Sequence, residues 1–187
     1  MPNSWLIPLL LGFGINAASA FTTVYSRWWG ERVGRLATVL LRNVLGIPVW
    51  VLGLLLAVGA PSRILFTTPV VVRIAGWALM SLGALLQILA LAVLRHKAAA
   101  PSIHDTLVQR GPYGWMRHPI YAGVLLEFAA IVILQPRLAV LIACLLGVGW
   151  AVLQARLEEV DLVQRLPEYR DYMARVPSFL PRTARTA

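Results

Sequence analysis

The chain has 187 residues, room for one domain of ordinary size. Hydrophobic residues make up 59% and charged residues 13%, against roughly 45–50% and about 25% in typical soluble domains, which excludes most soluble folds. The 17 Lys and Arg against 8 Asp and Glu give a net charge of +9; in a chain this apolar the excess belongs to cytoplasmic loops, and no nucleic acid is expected as a partner.

Residues 1–8 carry no basic run ahead of the first apolar stretch, so a cleaved signal peptide is not expected. That stretch predicts a membrane-spanning helix over about 4–25. Within it, Gly12-Phe13-Gly14-Ile15-Asn16-Ala17 matches a dinucleotide fingerprint, and Glu31 falls where its acidic partner belongs. The context is wrong, because the fingerprint needs a preceding strand and open amides at a helix start. These glycines read as helix-packing positions. Further spans are predicted over about 36–58, with Arg42 inside, and 70–94. A connector over 95–117 carries His96, His104, Asp105, Tyr113, Trp115 and Arg117. Short spans follow over about 120–135 and 138–153, joined by Gln135-Pro136-Arg137. Cys144, the single cysteine, lies inside the last one, which leaves no disulfide framework and no metal site to expect.

The expected fold is therefore one all-α integral membrane domain over 1–187 with about five transmembrane helices. Thirteen of the 17 basic residues fall in 26–35, 95–117 and 156–187, whereas Arg63, Arg73 and Arg137 lie on the other side. This bias predicts an outward N-terminus and a cytoplasmic C-terminus. The C-terminal segment also reads as ordered. Val160, Val163 and Leu166, then Tyr169, Met173 and Val176, follow helical spacing; Pro167 can start a helix, and Pro177 and Pro181 end one. Residues 157–175 are expected as an amphipathic extension lying over the connector. Both segments flank the mouth of the last helical hairpin and should meet in space.

Arg42 and Glu127 are ionisable residues within predicted spans, which makes them candidate substrate-binding groups. Arg42 is near enough to the cytoplasmic end to snorkel. Glu127 could pair with Arg42, line a substrate cavity or hold a proton.

The densest polar run is 111–123. Gly111, Pro112 and Gly114 make turns. Pro119 suits the first position of a helix and leaves His118 at its N-cap, where open amides favour an anionic group. Arg117 adds a positive fork, and Tyr113, Trp115 and Tyr121 offer aromatic faces to a cation or a flat ring.

Gly111-x-Tyr113, Arg117-His118-Pro119-x-Tyr121-x-Gly123, Glu158-Glu159, Tyr169-x-x-Tyr172, Val176-Pro177 and Leu180-Pro181 occur in that order. With this set the chain resembles the integral-membrane isoprenylcysteine carboxyl methyltransferase and phospholipid methyltransferase superfamily over residues 105–181. The resemblance implies S-adenosylmethionine as methyl donor, held by segments 95–121 and 156–181 at the cytoplasmic face. It implies Asp105, Thr106, Leu107, Val108, Tyr113, His118, Pro119, Tyr121, Glu158 and Glu159 on the cofactor, and Arg117 and Arg156 toward the acceptor. Two positions depart from the family pattern. Asp105 stands where a histidine is usual, with His104 one residue earlier, and Arg156 is closer to Glu158 than the usual arginine.

The implied acceptor is lipophilic or lipid-tethered: the carboxylate of a prenylated cysteine or similar, or a phospholipid amine, for which His118 or a glutamate would take the proton. The compact form suggests a prokaryotic plasma membrane. An NADPH-dependent membrane sterol-type reductase, similar in its C-terminal layout, and a non-catalytic helical bundle are the alternatives.

Overall fold

A computed structural model describes residues 3–95, 97 and 101–180; His96 and Pro181 lie outside them. Seven helices and no strand occur among the described residues. They are α1 (Leu6–Ala18), α2 (Thr22–Trp29), α3 (Glu31–Gly59), α4 (Val70–Leu94), α5 (Pro119–Leu134), α6 (Leu138–Arg165) and α7 (Tyr169–Arg175).

The five apolar stretches each carry helix, with boundaries set by local chemistry. The first is broken: α1 and α2 meet at 63°. Ser19 Oγ donates to the Asn16 carbonyl at 2.6 Å, a side-chain bond that competes with the helical ladder at its end. Gly30, at φ +82°, then turns the chain into α3, which begins five residues before its predicted start. In α3 the turns over Leu40–Gly46 widen to π-type bonding just ahead of Pro48, whose ring clashes with the preceding carbonyl in an ordinary helix. Helices α3, α4 and α6 are long and apolar enough to cross a membrane, and α1 with α2 passes only as a bent pair. Helix α5, with 16 residues, rises about 24 Å, short of a hydrocarbon core of about 30 Å.

Packing follows from small residues. The buried positions of α4 are Gly76, Gly83 and Ala90, seven apart, so one thin seam meets α5 while Val71, Ile74, Leu85 and Ile88 stay exposed as a lipid-facing surface. A Cβ at Gly83 would stand 2.7 Å from the Gly123 carbonyl. Trp5, the N-cap of α1, and Leu9 and Phe13 within it form a core with Leu54, Phe128, Val140 and Trp150. The loop after α3 is tied to the turn after α5 by Leu65 N donating to Pro136 O at 2.8 Å and Leu138 N to Arg63 O at 2.9 Å.

The C-terminal extension differs from expectation in two respects. Helix α6 does not end near 153 but continues unbroken to Arg165. Pro167 follows the break instead of opening a helix, because the residue before a proline is pushed out of the helical region; Leu166 is extended, at φ −128° and ψ 91°. Helix α7 starts two residues after Pro167, and Leu166, Tyr169 and Tyr172 pack with Leu107 of the connector.

Candidate active site

His118 is the N-cap of α5 and Pro119 its first residue, as the sequence requires. A short 3-10 turn over Gly111–Gly114 precedes them, with Gly111 at φ +59°, a conformation that favours glycine. This turn brings Tyr113 under α7: the Tyr172 hydroxyl donates to the Tyr113 carbonyl at 2.6 Å. The tail then closes on the motif, since Arg117 N donates to Pro177 O at 2.8 Å and His118 N to Ser178 O at 2.9 Å. The connector and the C-terminal segment therefore meet, as their common position at the hairpin mouth implies.

The paired glutamates of α6 diverge. Glu159 points into the protein: its Oε1 lies 2.7 Å from Arg117 Nη2 and 2.9 Å from His118 Nε2. Arg117 also donates to the carbonyls of Met173 and Val176 and, at 2.6 Å, to Ser178 Oγ. Its side chain is 7% exposed, and these acceptors with Glu159 account for its whole donor fork. Glu158 faces a cavity instead. It accepts from Tyr121 Oη at 2.7 Å, Arg42 Nη2 at 3.0 Å and Gln154 Nε2 at 3.3 Å. Arg42 is thus paired with Glu158, one candidate substrate-binding group meeting a cofactor-binding one.

The cavity holds about 590 Å³, within the ~300–1,000 Å³ typical of small-molecule and cofactor sites. Asp105, Thr106, Leu107, Val108, Tyr113, Arg117, His118, Tyr121 and Glu158 all line it, as do Arg42 and Glu127. Three expected site residues stand elsewhere. Pro119 is fully buried in the first turn of α5, and Glu159 lies behind His118. Arg156, 65% exposed, reaches Glu159 Oε2 at 3.3 Å.

Asp105 accepts from Ser102 N at 2.9 Å and pairs with Arg165 at 3.4 Å. His104 turns the other way, 3.3 Å from Glu31 and 75% exposed, so the residue at the cavity wall is Asp105. Burial raises the ionisation of the Tyr113 and Tyr169 hydroxyls well above the ordinary tyrosine range. For Tyr172 burial outweighs the nearby Arg117 guanidinium, and its pKa is pushed up to about 12. All three remain neutral donors at physiological pH.

Asn16, Thr22, Asn43, Gln87, Asp161 and Arg165 also line the cavity and were not legible as site residues. Asp161 accepts from Thr23 N at 2.8 Å and pairs with Arg165 at 3.1 Å, which joins α2 to α6. Polar residues isolated within apolar runs were the available signal. Trp50 and Trp150, 5.4 Å between ring centroids, form an aromatic wall. Chemically, the cavity offers a carboxylate and aromatic faces to a cation and a partly apolar chamber beside them.

Residues 71–167, just over half of the chain, match the phospholipid methyltransferase family, which bears out the resemblance carried by the motifs. A cobalt-zinc-cadmium resistance protein, CzcN of Cupriavidus metallidurans, is 34% identical over 82 residues, a stretch that covers 42% of this chain and 37% of that relative. No solved structure matches the chain.

Proposed function

The chain belongs to the phospholipid methyltransferase family, and we propose on that premise that it transfers a methyl group from S-adenosylmethionine to a lipophilic acceptor. The observation that carries this reading is a cavity in which the 111–123 motif and Glu158 share a wall. S-adenosylmethionine bound there would supply an electrophilic methyl on a sulfonium cation. The residues present suit it. Glu158 offers a carboxylate to its positive charge, and Tyr113 and Tyr121 offer ring faces. Asp105, Thr106, Leu107 and Val108 offer an irregular wall with main-chain groups for a planar base. His118 lines the same space; Glu159 fixes its ring from behind, and Pro119 sets the start of α5.

The chain's own contribution is alignment and exclusion of water. Arg117 holds the tail against the motif and so closes the cavity. Arg156, outside the cavity lining, holds the far oxygen of Glu159. Two acceptor chemistries suit such a site: a carboxylate, as on a prenylated cysteine, and a lipid head-group amine. The basic bias of 26–35, 95–117 and 156–187 supports an N-terminus outside and this cavity facing the cytoplasm, and the compact form with about five membrane-embedded segments suits a prokaryotic plasma membrane.

Titration of the purified protein with S-adenosylmethionine and with NADPH tests this reading. S-adenosylmethionine is expected to bind and NADPH is not; the reverse result would favour the sterol-type reductase. Tyr113→Ala, His118→Ala and Glu158→Ala are each expected to weaken S-adenosylmethionine binding about tenfold or more. Unchanged affinity in all three would remove these residues from the cofactor site.

A further inference from the structure

Beyond Glu158 the cavity wall is more polar than its apolar helices require. Asn16 of α1, Asn43 of α3, Gln87 of α4 and Glu127 of α5 all line it, so four different helices each contribute a polar side chain. On α5 the cavity-facing residues are Ile120, Tyr121, Val124 and Glu127, one helical stripe on which Glu127 follows Tyr121 by about 9 Å of rise. The stem of Glu127 passes over Gly83 of α4, where a Cβ would stand 2.9 Å from Glu127 Cγ. The absent side chain leaves room for the Glu127 stem to pass. Arg42 pairs with Glu158, and Arg165 with Asp105 and Asp161.

We propose that Glu127 is a catalytic residue that receives the polar end of the acceptor and takes the proton its nucleophilic atom sheds on methylation. This rests on the methyl-transfer reading. The lone pair of a nitrogen, oxygen or sulfur atom of the acceptor forms a bond to the methyl carbon of the sulfonium donor. The carbon–sulfur bond breaks with its electron pair remaining on sulfur, and the proton on the nucleophile passes to the Glu127 carboxylate, directly or through one water. A carboxylate acceptor has no such proton and meets a like charge at Glu127. The chamber therefore selects a proton-bearing nucleophile.

The test uses the full chain in nanodiscs, with native lipid extract and trideuteromethyl S-adenosylmethionine, and mass spectrometry of the products. The label is expected on an N, O or S atom that carried a proton. Glu127→Gln is expected to lower turnover about 100-fold or more, with Glu127→Asp recovering part of it, while donor affinity by equilibrium dialysis stays within about twofold of wild type. A labelled methyl ester, or wild-type turnover in Glu127→Gln, overturns the role of Glu127. Loss of donor affinity in parallel with turnover also overturns it, since that pattern marks a structural residue. No label transfer by the wild-type protein would overturn methyl transfer itself, an outcome separate from the other three because those leave wild-type transfer intact.

Discussion

Arg42 on α3 donates to Glu158 on α6 at 3.0 Å, across 116 residues of sequence. The two side chains are 18% and 19% exposed, so water screens the pair less than it would a surface bridge. The same Glu158 oxygen accepts from Tyr121 of α5 at 2.7 Å, and three helices thereby converge on one carboxylate. The spacing of the cavity walls depends on this junction.

Arg42→Ala and Glu158→Gln are expected to be non-additive, with a coupling of about 1–2 kcal/mol in a double-mutant cycle of unfolding free energies. Additive effects would mean that the pair does not tie α3 to α6.

Arg117→Lys is expected to cost about 3 kcal/mol or more and to lower the Tm in thermal unfolding. A lysine is a point charge and cannot reproduce the fork that meets Glu159, Ser178 and the carbonyls of Met173 and Val176. An unchanged Tm combined with lost turnover would instead place Arg117 on the acceptor.

Gly12 and Gly14 should respond oppositely to alanine. A Cβ at Gly12 would overlap the Trp50 backbone, whereas one at Gly14 meets nothing within 4 Å. Gly12→Ala is expected to destabilise by about 1–3 kcal/mol through overpacking. Gly14→Ala is expected to be neutral or to stabilise by up to about 1 kcal/mol through helix propensity. Equal responses in chemical unfolding would undo the packing account of the glycine pattern.

Tyr172 sets an alkaline limit. Its pKa is raised by burial to about 12, so the folded state holds the phenol proton more tightly than the unfolded chain, whose tyrosine titrates near 10. The stability this contributes is complete below about pH 10 and is lost as pH rises toward about 12. Tyr172→Phe is expected to lose the bond to the Tyr113 carbonyl, about 1 kcal/mol at neutral pH. Between about pH 10 and 12 its stability should fall less steeply than that of wild type. Parallel pH curves in urea unfolding would contradict this.

Legibility in the sequence divides along physical lines. The 111–123 motif could be read because turn glycines, a helix-starting proline and an N-cap histidine act within a few residues of one another. The role of Asp105 rather than His104 could not, because adjacent connector residues point opposite ways and only the contacts with Arg165 and Glu31 decide which faces the cavity. Glu158 and Glu159 show the same limit: neighbours on a helix lie about 100° apart, and nothing local says which one looks inward.

Composition and hydrophobic runs determined that this chain is helical and membrane-embedded, because burying apolar surface in lipid with every backbone group satisfied leaves a helix as the answer for such segments. They also determined which two water-facing segments flank one mouth. Only the tertiary structure decided the break between α1 and α2, the continuation of α6 to Arg165, and the meeting of Arg42, Tyr121 and Glu158. Those outcomes depend on where small residues allow helices to touch and on which charges are then forced to share one enclosed space.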